Sequence, residues 1–164
     1  MIELEEIEIW KKLSSPFGNS EEIPQLLLQL SKTLDKKIAD EIIWEYVYHQ
    51  GSVYENTLAT VPHLLKIIER SNNLEFNLDV IASLGVVLID LDNDSYLEQI
   101  FQDNSLDENE KNRIQSAFMN SIETFKKLVR HNLQNTNVLD EESKRFYLIS
   151  FFFFGNLALI HDLV

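Results

Sequence analysis

Hydrophobic residues along this chain repeat a short phrase after thirty-eight positions. Residues 23–30 read Ile-Pro-Gln-Leu-Leu-Leu-Gln-Leu, and residues 61–68 read Val-Pro-His-Leu-Leu-Lys-Ile-Ile. Both stretches place a proline near the start of an apolar stripe at helical spacing. A repeat of this length is typical of helical-hairpin arrays, in which each unit buries its apolar face against the next. The pattern therefore predicts stacked pairs of helices.

The same periodicity predicts helices along most of the chain and requires no strand. Ser20 is expected to cap the first helix of the first unit, and Gly51 to end the second helix in a left-handed conformation. Ser105 and Glu108 have the spacing of a capping box. We expect helices over residues 3–13, from 20 to the low thirties, 34–48, 54–71, 74–89, a long one after 105 and one from 140.

These elements predict an all-α fold, a short right-handed α-α superhelix of helical hairpins. The chain has 164 residues and 45% hydrophobic content, which suits one domain over residues 1–164 with one core. The phrase has no clear third copy in the carboxy-terminal half, so the sequence does not predict the register of the helices there.

The charge of the chain is most unevenly distributed between residues 71 and 110. The chain carries 27 acidic and 14 basic residues, a net charge of −13. Residues 71–110 contain no Lys or Arg and hold these acidic residues: Glu75, Asp79, Asp90, Asp92, Asp94, Glu98, Asp103, Asp107, Glu108 and Glu110. Such a surface repels nucleic acid and attracts cationic partners. We expect a protein partner with a basic surface, although an acidic surface also serves solubility alone.

Three further features indicate where in the cell the protein is expected. It contains no cysteine, which fits a cytoplasmic protein, and its acidic first residues are unlike a signal peptide. The apolar run 146–160 is shorter than a membrane span and is broken by Gly155 and Asn156. We expect it to form a core helix rather than a membrane segment, or to pair two copies of the chain through its aromatic face.

A resemblance to a known family enters at residues 48–57, Tyr-His-Gln-Gly-Ser-Val-Tyr-Glu-Asn-Thr, followed by Val-Pro-His-Leu-Leu. This stretch resembles uncharacterised bacterial HEAT-repeat proteins, in which a His-Gln-Gly turn precedes an apolar helix with a Val-Pro start. The likeness covers roughly residues 10–90. It implies a helical solenoid that holds other macromolecules, and some bacterial relatives serve as immunity proteins against toxins.

The candidate binding residues are aromatic, amide and charged side chains near the turn at Gly51. Aromatic rings and amides are common in small-molecule clefts and in interface hot spots, but they also cement adjacent helical pairs. His49 is expected either to form a structural hydrogen bond near Gly51 or to line a ligand pocket. Trp44 is expected to be buried. The group comprises Trp44, His49, Gln50, Tyr54 and Glu55.

The acidic stretch at Asp90, Asp92 and Asp94 is a second candidate surface. It lacks the glycine and glutamate that a calcium loop needs at its sixth and twelfth positions, so no metal is expected there. The four histidines show no metal-binding spacing, and no cofactor motif occurs. We therefore expect a non-enzymatic protein-binding scaffold, such as a neutraliser of a basic protein. The alternative is a small-ligand or enzymatic cleft between helical units around His49.

Overall fold

The computed structural model describes residues 1–91, 100–101 and 105–155, and these are predominantly helical, as predicted. The order of elements is α1 (Ile7–Trp10), β1 (Ser14–Ser15), β2 (Gly18–Asn19), α2 (Ile23–Thr33), α3 (Lys36–Asp40) with a π-helical segment (Glu41–Val47), β3 (Tyr48–His49), β4 (Ser52–Val53), α4 (Glu55–Arg70), α5 (Leu74–Leu91), α6 (Glu108–Asn132) with a 3-10 segment (Leu133–Val138), and α7 (Glu141–Ser150) with a π-helical turn (Phe151–Gly155).

The long helices contact one another in an alternating order. Helix α4 packs against α6, and α5 packs against α7. Helix α2 in turn contacts α4, while α3 and the π-helical segment contact α5. Helices that alternate along the chain are therefore neighbours in space.

The two copies of the repeated phrase occupy matching environments in α2 and α4. Three pairs of equivalent apolar positions are buried in both copies: Ile23 and Val61, Leu27 and Leu65, Leu30 and Ile68. In the fourth pair, Leu64 is buried and Leu26 is half-buried. The copies differ at proline, because Pro24 lies in the first turn of α2 whereas Pro62 lies inside α4. Proline needs no helical donor in a first turn, but in the interior it removes one backbone hydrogen bond. The predicted helical stripe is confirmed in both places.

Helix α4 is buried on every side along its first three turns. All residues from 55 to 65 are buried, including several polar ones, although the sequence pattern predicted only one buried face. The polar side chains are used as ties to other segments. Asn56 Nδ2 donates to the carbonyl of Tyr46 at 3.0 Å, and Thr57 Oγ1 donates to that of Val47 at 2.6 Å.

The amino-terminal segment is also tied to the helices. His63 Nε2 lies 3.0 Å from the carbonyl of Ile2, which can only accept, so this nitrogen carries the proton. Burial lowers the pKa of His63, which keeps the ring neutral. Arg113 of α6 donates two hydrogen bonds to the carboxylate of Glu6, at 2.9 and 2.7 Å.

Helices α5 and α7 approach closely at Gly85. A Cβ atom at this position would lie 1.5 Å from Oγ and 2.4 Å from Cβ of Ser150. Tyr147, one turn before Ser150, ties α7 to α6, because its buried hydroxyl donates to the carbonyl of Val129 in α6 at 2.6 Å. Together these contacts hold α7 in the angle between α5 and α6.

Several predicted local features are wrong. Residues 14–19 and 48–53 form two short antiparallel hairpins, where no strand was predicted. Gly51 has φ +81° and Gln50 has φ +51°, so these two residues form the hairpin turn instead of a helix cap. The helix predicted over residues 3–13 is only Ile7–Trp10.

Two predicted caps are wrong as well. The buried Ser20 donates to the carbonyl of Leu13 at 3.0 Å and does not cap α2. The capping box of α6 is Asp107 with Glu110, whose side chains accept from each other's amides at 2.8 and 2.9 Å. The predicted long helix is confirmed, and so is the start of the last helix at residue 140, where the side chain of Asp140 accepts from the amide of Ser143.

Replacing Gly85 with Ala tests the close approach of α5 and α7. Because the new Cβ overlaps Ser150, we expect Gly85→Ala to lower the free energy of unfolding by about 1–3 kcal/mol. Ser150→Gly removes the clashing atoms at a helix-propensity cost of about 1 kcal/mol. The double variant should therefore be more stable than the sum of the two single changes, measured by urea unfolding. Additive losses would contradict the packing described.

The Glu6–Arg113 pair predicts an acid-dependent contribution to stability. Hydrogen bonds from Arg113, then from the Glu3 amide, lower the pKa of Glu6 from 4.5 to about 2. Because the folded state favours the ionised carboxylate, this contribution is present above pH 4.5 and is lost as the pH falls towards 2. At neutral pH, Glu6→Gln should cost about 0.5–1 kcal/mol, since the pair is partly exposed. Chemical unfolding over this pH range should show wild type and variant converging in acid.

Candidate functional site

The two hairpins bring a group of aromatic side chains together on the surface. Phe17 lies between β1 and β2, and its side chain is 62% exposed. Its ring packs edge-on against Tyr46 with centroids 5.3 Å apart, and lies 5.9 Å from the ring of His49. An exposed large apolar ring held by two other rings is a typical anchor for a partner protein.

Carboxylates surround these rings. Tyr46 Oη donates to Glu22 Oε2 at 2.6 Å, and His49 Nδ1 lies 3.4 Å from Glu45 Oε2. The hydrogen bond to Glu22, then burial, then the negative charges of Glu22, Glu41 and Glu45 raise the pKa of Tyr46 to about 12. We call this surface the aromatic–acidic patch, composed of Phe17, Glu22, Glu41, Glu45, Tyr46 and His49.

The π-helical segment and the buried helix α4 position this patch. The last carbonyls of a helical segment have no partner within it, and here Asn56 and Thr57 of α4 satisfy those of Tyr46 and Val47. The first hairpin is held in the same way, because Glu55 Oε2 accepts from the amide of Ser14 at 2.7 Å. The first hairpin and the end of the π-helical segment, which leads into the second hairpin, are thus anchored to the first turn of α4.

The structure places the candidate residues predicted near Gly51 in different environments. Only His49 belongs to the patch. Gln50 is exposed in the hairpin turn, and Tyr54 precedes α4, where its amide donates to Thr57 Oγ1 at 3.0 Å. The side chain of Glu55 is 7% exposed and binds Ser14, so it is a structural residue and is not available to a partner.

Tyr48 links Trp44 and Asp90 through an aromatic contact and a hydrogen bond. Trp44 is half-buried, not buried as predicted, and its ring packs edge-on against Tyr48. Tyr48 Oη donates to Asp90 Oδ2, and this hydrogen bond is the main reason that the pKa of Tyr48 is raised to about 12. Parts of the two predicted surfaces therefore adjoin. Asp92 and Asp94 lie outside the described residues.

The predicted cleft around His49 does not coincide with the cavities found. Cavities of about 380, 590 and 200 Å³ lie elsewhere, and none of these is lined by His49. The first, between α2 and α4, is lined by a different histidine, His63. In the described ranges, no cluster of three or more His, Asp or Glu side chains is arranged to hold a metal ion.

Sequence reasoning missed Phe17, Glu22, Glu41, Glu45 and Tyr46 as members of one surface. The first hairpin was interpreted only as a break between helices. Pro16 and Gly18 on either side of Phe17 are the available signal, because these residues favour a tight turn that exposes the side chain between them. Glu41 and Glu45 lie four residues apart in one helical segment and are local neighbours, whereas Glu22 is distant in sequence and joins them only through folding.

Comparisons with protein-family models, with curated proteins and with solved structures found no match to this chain. The HEAT-repeat resemblance therefore stays a prediction. Within the part of the chain that the structure describes, no helix combines the length and apolar character needed to cross a membrane.

Proposed function

We propose that this protein is a helical-repeat scaffold that binds a basic partner protein through the aromatic–acidic patch. The observation that carries the proposal is the exposed ring of Phe17, fixed beside Tyr46 and His49 and bordered by three glutamates. The proposal assigns the protein a binding role and no reaction.

The scaffold is a short solenoid of three helical pairs in this proposal. The pairs are α2 with α3 and its π-helical segment, α4 with α5, and α6 with α7. First helices contact first helices, and second helices contact second helices, which is the contact order expected of stacked hairpins. Burial of equivalent positions in α2 and α4 supports the first two units, and the contacts of α6 with α4 and of α7 with α5 support the third.

The chemistry of the patch favours Lys and Arg side chains on the partner. Glu41 and Glu45 are exposed and can accept charge-assisted hydrogen bonds. Phe17 offers a ring face on which a guanidinium can stack. The net charge of −13 attracts such a partner at long range, and salt weakens this attraction. Neutralising a basic toxin is one role that fits these properties.

A second association is favoured by α7 and the π-helical turn after it. Their outward face exposes Leu148, Ile149, Phe152 and Phe153, and Phe152 is 68% exposed. Solenoid ends normally carry a polar outer face. Pairing of two copies through this face is the predicted homo-oligomer. Sedimentation of the chain with and without Phe152→Ser, measured by analytical ultracentrifugation, tests it directly.

The patch is tested by selecting peptides from a displayed random library on the purified protein. We expect the selected peptides to be rich in Lys and Arg and to bind more weakly as salt is raised. Phe17→Ala should weaken the selected peptides about tenfold or more, as loss of an interface anchor does. The double change Glu41→Gln with Glu45→Gln should mainly slow association and reduce the salt dependence.

A charge-matched control separates the patch from general electrostatics. Glu141→Gln with Glu142→Gln changes the net charge equally but lies in the first turn of α7. This control should retain nearly full binding. Equal losses in both double variants, or selected peptides without basic residues, would remove the patch as the recognition surface.

A further inference from the structure

A groove between α2 and α4 has a chemistry different from that of the patch. It encloses about 380 Å³, within the range of roughly 300–1,000 Å³ typical of small-molecule sites. The apolar part of its wall includes Leu27, Leu28 and Leu34 of the α2 region. Leu28 is 47% exposed, so the groove presents apolar surface to solvent.

Charged side chains of both signs line the same groove. Lys66 and Arg70 lie one turn apart on α4, and Glu3 and Glu5 come from the amino-terminal segment. Among the described residues, no ion pair is formed by any of these four side chains. His63 also lines the groove; burial lowers its pKa, and its Nε2 donates to the carbonyl of Ile2.

We propose that this groove binds a short apolar peptide by its two charged ends. The groove presents two unpaired cations and two unpaired carboxylates beside an apolar wall. These features match a ligand that carries one charge of each sign and an apolar body. The ligand carboxylate binds Lys66 and Arg70, its ammonium binds Glu3 and Glu5, and its side chains lie on the leucines. A plain anion or cation would leave one pair of the groove's charges unmatched.

The position of the groove supports a built site. Residues 63, 66, 67 and 70 line it from α4 at helical spacing, so one face of that helix is directed towards it. The amino-terminal segment that supplies the two glutamates is held in place by His63 on Ile2 and by Arg113 on Glu6. The backbone that carries Glu3 and Glu5 is therefore held in place without the ligand.

The test uses the full-length protein and the dipeptide Leu-Leu with three blocked forms, measured by titration calorimetry. The blocked forms carry an acetylated amino end, an amidated carboxyl end, or both. We expect free Leu-Leu to bind most tightly, and each block to weaken binding about tenfold, the scale of one charged hydrogen bond. Absence of binding at millimolar Leu-Leu, or equal binding of all four forms, would overturn the proposal.

Paired substitutions assign each end of the peptide to its side of the groove. Lys66→Gln with Arg70→Gln should weaken Leu-Leu and abolish the effect of amidation, while the effect of acetylation remains. Glu3→Gln with Glu5→Gln should give the reverse. Lys37→Gln with Lys144→Gln is the control for lost positive charge, and circular-dichroism melting confirms that each variant is folded. Variants that leave both blocking effects unchanged would place the peptide elsewhere.

Discussion

Burial of the first turns of α4 is the constraint on which the rest of the structure depends. A helix enclosed on all sides buries its polar groups, and each unsatisfied buried group costs about 1–3 kcal/mol. Here the side chains of Glu55, Asn56, Thr57 and His63 bind the backbone of other segments. Asn56 Oδ1 and Thr60 Oγ1 have no hydrogen-bond partner among the described residues. The bonds made by those four side chains hold the first hairpin, the end of the π-helical segment and the amino terminus.

The aromatic–acidic patch follows from this arrangement. Its side chains come from the first hairpin, the residues before α2, the π-helical segment and β3, none of which could hold a fixed position alone. Strands of two residues have too few hydrogen bonds to be stable by themselves. Because α4 anchors the first hairpin and the end of the π-helical segment, Phe17 meets Tyr46 and His49 at a defined place, and the glutamates concentrate negative charge around these rings.

The long helices could be predicted from the sequence because they carry a strong period. The boundaries expected for α4 and α5 agree closely with Glu55–Arg70 and Leu74–Leu91. The hairpins could not be predicted, since two-residue strands are too short for an alternating pattern and depend on bonds from α4. At α6 the choice was ambiguous: Ser105 with Glu108 and Asp107 with Glu110 have the same spacing, and only the backbone distinguishes them.

The candidate site was predicted only in part, because several of its contacts join residues that are distant in sequence. Trp44 and His49 were grouped because they are close in sequence, but the structure places Trp44 with Tyr48 and Asp90, and His49 with Phe17 and Glu45. Glu55 was grouped with them for the same reason, but it is a buried residue that accepts a hydrogen bond from the amide of Ser14. Contacts between residues 17, 22 and 46 are long-range, and a single sequence contains no signal for them.

The π-helical segment Glu41–Val47 has a consequence for how this surface can change over evolution. A π-helical turn differs from an α-helical one by a single inserted residue. In an α-helix each residue turns the chain by about 100°, so gain or loss of one residue here re-aims the following side chains by about that angle. Insertion or deletion of one codon here would therefore change which side chains the patch presents at the surface.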